Sequence, residues 1–523
     1  MTGATLQMAG SPRWITVAVL VPISSLTVVA VVLGEGDVAV AVTPLIVAAL
    51  VWWMWKAPLR FSVLLLMFVG LVLEDPDQRP AGGAWESPLS TLGAVMLAHL
   101  NVTTGIGALF FSGIDLVIAF LFFVILYRQL THARVDGERL PAAGPVRCFA
   151  WLSLLGTFAV WSYGIGRGGS VPSSLWQVNK LYYLPLVAVL FESAWRDPPA
   201  LRPLGRVLVL AACVKAGLAL WIRLVVAPAE VPYATTHADS LLFASALSLI
   251  VASVVEEPGR ARRTVYLLVL PLLLAGTIAN NRRVAWVALA WAVASYYLIT
   301  PWTLRKRRLT RAVLLSLPLV VAYVAAGSRS ESAVFAPARL VASVLDSGVD
   351  SSTRWRDMEN FNLVYNIGER PLLGTGFGHE YLERWPLPDV SKGFAMYRYL
   401  PHNGVLGLWV SCGYAGFVAQ WLLLVVGLFF AARTYRHALD PMDRVASLGS
   451  VGAIVIYMIG AFGDTILGSW SGVFIVAPAL AVSGKLALAT GAWPVRTPSA
   501  GSLRTARFGA GPTPHIAPSE GQP

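Results

Sequence analysis

"TPWTLRKRRLTRAVLLSLPLVVAYVAAG", Thr300 to Gly327, is the stretch on which the fold turns. Arg305, Lys306, Arg307, Arg308 and Arg311 crowd its first half, and the run from Ala312 to Ala326 that follows carries no charge. At about 1.5 Å of rise per helical residue, a run of this length approaches the ~30 Å hydrocarbon core of a bilayer. A basic cluster at the mouth of such a run is how a membrane chain fixes the end that stays in the cytoplasm.

The same alternation of apolar runs and basic connections extends over most of the 523 residues. With 56% hydrophobic and 13% charged residues, and a mean hydropathy of +0.65, the chain cannot cover itself with a polar surface. It reads as an all-α polytopic membrane protein of about 12–14 transmembrane helices with one large external loop carrying short amphipathic helices. The expected spans include Trp14–Leu33, read as a retained helix rather than a cleaved signal, and Gly105–Leu126, Lys180–Trp195 and Asn403–Ala432. Four divisions follow: an N-terminal transmembrane bundle (1–326), the large loop (327–401), C-terminal transmembrane helices (402–489) and a disordered cytoplasmic tail (490–523) rich in Pro, Gly, Ser and Ala. The net charge of +12 is spread over short connections, so it speaks for membrane orientation and against nucleic acid. Cys148, Cys213 and Cys412 form no CxxC or Cys/His spacing, so no metal site is expected, and no cofactor either. Basic connections such as "EEPGRARR" and "ARTYRHALDPMDR" alternate with poorly basic ones, which places the loop 327–401 outside.

That loop is too long for a simple connection, and its content argues for structure. "TRWRDMENFNLVYNIGERPLLGTGFGHEY" sets Trp355, Met358, Phe361 and Tyr365 at helical spacing, predicting an amphipathic helix on or near the membrane. The "GTGFG" that follows is expected to form tight turns and bring backbone N–H groups to a ligand. Next comes "YLPHNGVLGLWVSCGYAG", Tyr399 to Gly416, where His402 and Asn403 stand at the edge of a long apolar run. This block resembles the signature of the O-antigen ligase and polymerase superfamily: His followed by Asn, then Gly-x-x-Gly at Gly413 and Gly416, with "RPLLGTGFG" upstream in the same loop.

The resemblance implies a glycosyltransferase of the bacterial inner (plasma) membrane, its active site facing outward. Such enzymes move an oligosaccharide from a polyprenyl (undecaprenyl) diphosphate carrier onto a glycan or lipid acceptor hydroxyl, without metal and with inversion. An imidazole titrating near ~6.5 is mostly neutral at neutral pH and ready to take the acceptor's proton, which makes His402 the candidate base. Asn403 is expected to hold the imidazole or a sugar hydroxyl, and Gly407, Gly413 and Gly416 to let the following helix pack closely. Arg282 and Arg283 occupy a short outward turn where basic residues are disfavoured, which suits a lipid-linked diphosphate. Among intramembrane ions, Arg223 lies near an outer helix end and is a candidate to reach a phosphate, Lys215 and Asp115 are candidates to pair with one another, and Asp239 is placed to bind sugar or cap its helix. Arg354, Arg356 and Arg398 in the loop are further candidates to contact phosphate or sugar. Polymerisation of O-antigen or exopolysaccharide repeat units is the favoured reading, with transfer of a finished glycan to lipid or protein, or transport of a lipid-linked glycan, as alternatives. Chain-length regulator and flippase proteins are the expected protein partners, beside the membrane lipids.

Overall fold

The computed structural model describes residues 21, 24–28, 31–32, 38–74, 89–99, 111–131, 144–195, 201–226, 233–256, 260–328, 330, 332, 335, 351–391, 396–464 and 466–493. Their regular structure is helical: α1 Val38–Lys56, α2 Leu59–Val72, α3 Ser90–Leu97, α4 Gly113–Leu130, α5 Val146–Gly166, α6 Val171–Ala194, α7 Arg202–Trp221, α8 His237–Glu256, α9 Arg260–Asn280, α10 Arg283–Ile299, α11 Leu304–Gly327, α12 Ser351–Glu369, α13 Gly404–His437, α14 Pro441–Gly463 and α15 Trp470–Ala489. A π-helical turn, Ile222–Val226, extends α7. Eight of the described helices are long and apolar enough to cross a membrane, and four shorter apolar ones accompany them. The chain is an all-α polytopic membrane protein. The expected span Trp14–Leu33 falls largely outside the described residues, as does the tail beyond Trp493.

Two helix starts differ from expectation, each for a local reason. The span expected from Gly105 begins at Gly113, where the Ser112 backbone N–H donates to Asp115 Oδ2 at 2.7 Å in a capping box. The span expected from Lys180 begins at Val171, because Ser170 caps the helix and Pro172 supplies the fixed φ that suits a first turn. The extra turns carry Ser174, Gln177 and Asn179, which is why hydropathy alone starts this helix late.

At the centre stand α8 and α15, with 83% and 89% of their apolar windows buried inside the chain. Helices apolar all round belong in a core, and α8 packs there on α9, α10 and α14 while α15 packs on α6, α13 and α14. Buried Ser240, Ser245, Ser248 and Ser253 keep α8 narrow and permit close approach. By contrast none of the window in α11 is buried. Lys306 ties this helix to α10 by donating to Thr300 O at 2.8 Å.

Ion pairs sort to the ends of the bundle. One end holds Arg147 with Glu192 (2.7 Å), Arg202 with Asp440 (3.6 Å) and Arg444 with Glu256 (3.7 Å). Lys215, expected to meet Asp115, instead lies between Asp239 Oδ2 at 3.3 Å and Glu74 Oε1 at 3.4 Å, fully buried. The reason is placement: Asp115 is spent as the cap of α4, whereas α7 packs beside α2 and α8, whose ends carry the two carboxylates.

α13 is broken in the middle. Gly413 has φ 61° and ψ −175°, a combination essentially restricted to glycine. A residue so extended interrupts the helical ladder and leaves backbone groups without intrahelical partners. Residues 371–376 supply them: Tyr414 N donates to Pro371 O (2.8 Å) and Ala415 N to Leu372 O (3.2 Å), while Thr375 N and Gly376 N donate to Val410 O and Ser411 O (2.9 Å each). The contact is backbone on backbone, since a Cβ on Gly413 would sit 2.4 Å from Leu372 C and one on Gly374 2.5 Å from Val410 O. The glycine turn expected to face a ligand therefore spends the N–H groups of Thr375 and Gly376 on α13, and that of Gly378 on Gln177 Oε1 at 2.6 Å. Gly413, expected to aid packing, is the break itself. Gly416 does pack closely, a Cβ there lying 2.7 Å from Val160 Cγ2 of α5.

Gly413→Ala is expected to cost about 1–3 kcal/mol from its backbone conformation alone, with the clash against Leu372 added. Its melting temperature in detergent, followed by fluorescence-detected size exclusion, should fall well below that of the wild type. Gly368→Ala, where a Cβ meets open space, should not fall.

Candidate functional site

The loop helix α12 places the candidate residues, though not by the expected stripe. Phe361 and Tyr365 are exposed, and the buried face is Glu359, Asn362, Leu363 and Asn366. Two of these clamp the loop that follows. Asn366 donates Nδ2 to Leu382 O (2.8 Å) and accepts Leu382 N at Oδ1 (2.9 Å). One turn earlier, Asn362 donates to Trp385 O (2.8 Å) and accepts Trp385 N (2.7 Å). Each side-chain amide thus pairs with one residue as a neighbouring strand's backbone would. Leu363 anchors the helix on Tyr381, Leu387 and Val410 of α13.

Glu359 is fully buried, and His402 faces it. The backbone N–H of His402 donates to Glu359 Oε2 at 3.0 Å, and its Nδ1 lies 3.5 Å from Oε1. The Trp355 ring meets the imidazole edge-on at a centroid distance of 4.7 Å. A carboxylate at Nδ1 favours the tautomer with its proton there, which leaves Nε2 as the free acceptor; about a third of the His402 side chain is exposed. This is the arrangement by which a histidine accepts a proton and has the resulting imidazolium stabilised. Asn403 does something different from its expected part. Its Oδ1 caps α13 by accepting Leu406 N at 3.1 Å, and its Nδ2 donates to Asn360 Oδ1 at 3.1 Å. The buried Asn403 fixes the helix start next to His402.

Beside this pair lies a second histidine and carboxylate. His237, at the first residue of α8, contacts Asp464 through Nδ1 and Arg282 Nη1 through Nε2, the latter at 2.6 Å. Arg282 donates there, so Nδ1 carries the imidazole proton toward Asp464. The Arg282 guanidinium also stacks on Tyr233, 3.3 Å from the ring centroid. Burial lowers its pKa to about 10, opposed by Tyr233 and Asp464 and helped by Arg356, so it stays charged at neutral pH in a partly dehydrated setting. Arg356, three residues before Glu359 on α12, lies within electrostatic reach of both Arg282 and His237. One end of the bundle thus gathers His402, Glu359, Arg356, Arg282, His237 and Asp464. Glu359, His237 and Asp464 are not among the residues singled out in the sequence, and the cue for Glu359 was its position four before Leu363 on the face that buries.

The remaining candidates scatter. Arg283 opens α10 beside Arg282, and Arg223 lies half-buried in the π-helical turn after α7. Asp239 caps the start of α8 by accepting Thr236 N at 3.3 Å and holds Lys215, so both of its roles are internal. Arg354 is exposed on α12. Arg398 is bound to Glu383 at 3.0 Å and to Glu380 at 3.7 Å, which fixes the loop. His379 touches Gly164 O at 3.1 Å at the top of α5. Among the described residues no group of three or more His, Cys, Asp or Glu is arranged to hold a metal ion.

The fold and this polar end define a multi-pass membrane protein with a histidine–carboxylate pair beside partly buried arginines. Residues 267–421 match the family model described as O-antigen ligase, a stretch that runs from α9 through Arg282, α12 and His402 into α13. Over that stretch the chain is similar to this family, which agrees with the resemblance of its His402–Gly416 block. No curated protein matches the chain.

If the two asparagines clamp the loop, Asn362→Ala and Asn366→Ala will speed amide hydrogen exchange at Trp385 and Leu382 respectively, each roughly tenfold or more for one lost pair. Unchanged exchange at both amides would contradict the clamp.

Proposed function

We propose that the protein is a membrane glycosyltransferase that moves an oligosaccharide from a polyprenyl diphosphate carrier to an acceptor hydroxyl, at the outer face of the bacterial inner membrane. The observation that carries the reading is the His402–Glu359 pair, set inside the O-antigen ligase match and beside Arg282 and Arg356. His402 takes the acceptor proton through Nε2 as the hydroxyl oxygen attacks the anomeric carbon. Glu359 keeps the tautomer and stabilises the imidazolium. The bond to the carrier phosphate breaks on the opposite face, which inverts the anomeric centre. Arg282, held by His237 and Tyr233, and Arg356 meet the charge of the departing diphosphate, with Arg283 next to them; a guanidinium in a partly dehydrated site is well suited to this.

In this reading residues 1–326 and 402–489 form the bundle that holds the loop 327–401 over the outer surface. Polymerisation of repeat units is favoured over ligation of finished glycan, because the described part of the loop is occupied with closing α13 and clamping itself rather than with forming a separate acceptor surface. A deletion strain accumulating carrier-linked single repeats supports polymerisation; full-length carrier-linked glycan would establish ligation instead.

Three outcomes test the scheme. Turnover of His402→Ala should fall by about 10² to 10⁴, the usual worth of general-base assistance, with donor binding retained. Glu359→Gln, which removes the carboxylate that sets the tautomer, should cost up to about 10⁴ in turnover, as for the carboxylate of a Ser-His-Asp triad. A purified His402→Ala enzyme at the wild-type rate would exclude the base role. Arg282→Ala should lose about 10² to 10³ in turnover, and Lys should restore it only in part. For sidedness, in a Cys148→Ser background an impermeant thiol reagent should label Asp389→Cys in intact cells and leave Arg307→Cys unmodified. The reverse pattern would place the histidine end in the cytoplasm.

A further inference from the structure

The turn between α9 and α10 is tied to the start of α8 by one buried amide. Asn280, the last residue of α9, is 1% exposed. Its Oδ1 accepts Thr235 N at 2.8 Å, and its Nδ2 donates to Ser240 Oγ at 2.9 Å and to Thr236 O at 3.3 Å. All three bonds end on residues 235–240, the segment that carries His237. Asn281 then takes φ 52°, the one positive φ among the described non-glycine residues, and its N–H donates to Ile278 O at 3.0 Å. Asparagine tolerates this left-handed turn better than most residues. The reversal leaves Arg282 extended ahead of α10, at φ −105° and ψ 118°, where its guanidinium meets His237.

Arg282 gains little there by itself. Its Nε is buried with no hydrogen-bond partner among the described residues, which is costly, and the group it meets through Nη1 is a neutral imidazole nitrogen rather than a carboxylate. A contact so balanced does not hold two turns together. Asn280 does, two residues from Arg282 on one turn and bonded on the other to the residues on both sides of His237. Asp239 steadies the same segment by accepting Thr236 N at 3.3 Å, but through Lys215 it ties that segment to α7 and not to α9.

We propose that Asn280 is the positioning residue of the arginine site: by clamping residues 235–240 it holds His237 where Nε2 accepts Arg282 Nη1, and so fixes the guanidinium for an anion. That the anion is the carrier diphosphate rests on the transferase reading; the clamp does not. The test follows phenylglyoxal modification of Arg282 by peptide mass spectrometry in the full chain in detergent, with Arg147, paired with Glu192 at the other end of the bundle, as internal reference. Asn280→Ala and His237→Ala should each speed modification of Arg282 roughly fivefold or more and leave Arg147 unchanged. Because Asn280 acts through His237, the double variant should react no faster than the faster single variant. Ser240→Ala removes one bond of the clamp and is the milder change for folding; it should give about a twofold rise that disappears in the His237→Ala background. Rates that multiply in the double variants, or an Arg282 rate unmoved by both Asn280→Ala and Ser240→Ala, would overturn the proposal. So would an equal rise at Arg147, which marks general loosening. Undecaprenyl diphosphate added to the wild type should slow modification of Arg282, and roughly tenfold more of it should be needed in Asn280→Ala. Absence of protection in the wild type would count against the transferase reading, while the modification rates still decide the clamp.

Discussion

A broken transmembrane helix exposes backbone N–H and C=O groups where no water can be relied on to satisfy them, and each such group left bare in hydrocarbon costs several kcal/mol. α13 carries such a break at Gly413, and residues 371–376 meet it with four backbone hydrogen bonds. From that seam the rest of the polar end takes its position. The segment continues past Gly376 and Phe377 against Gly164 at the end of α5, then to Gly378, whose carbonyl accepts Ser170 N at 2.8 Å at the start of α6. Upstream it fixes the end of α12, and with it Glu359 opposite His402. Thus one repair couples the loop, three bundle helices and the histidine.

The buried carboxylate beside His402 is costly unless hydrogen-bonded, and the backbone N–H of residue 402 helps to offset that cost independently of the imidazole. Glu359 is therefore seated by the main chain first and faces the side chain second. The neighbouring group is built on a different balance. Arg282 gives up part of its hydration to sit against Tyr233 and His237, and an arginine so placed has more to gain from a phosphate than one in open water. Histidine–carboxylate pairs therefore appear twice at this end with different neighbours: His402 keeps an exposed nitrogen, whereas His237 has both nitrogens engaged.

Much of this was legible in the sequence, because membrane spans announce themselves by length and charge and because the His402–Gly416 block is distinctive. The misreadings share a cause. Charge alone makes Lys215 and Asp115 candidates for one another, since both lie within spans, but periodicity does not say which helices adjoin. The aromatic spacing of α12 marks the helix, but its face of Asn362 and Asn366 buries because their amides have backbone partners at Trp385 and Leu382, and such partners are invisible to hydropathy. For the same reason the glycines at 374 and 376 suggested a ligand turn: glycine marks close backbone approach, and the sequence does not say whether the approaching group is a substrate or another part of the chain.

The break at Gly413 also separates two rotations. Below it, Gly416, Gln420, Leu423, Leu424 and Gly427 recur at the spacing of one helix face, and Gln420 grips Ser153 and Thr157 of α5. Above it, Leu408, Val410 and Cys412 bury with a different phase against the loop and α6. In an unbroken helix the azimuth of residue 404 is dictated by the residues that pack thirty positions later, so any repacking of the lower bundle would swing His402 away from Glu359. A single extended residue removes that torsional link. The lower half of α13 can vary with the bundle it serves, while the upper half keeps its bearing from the loop and α6.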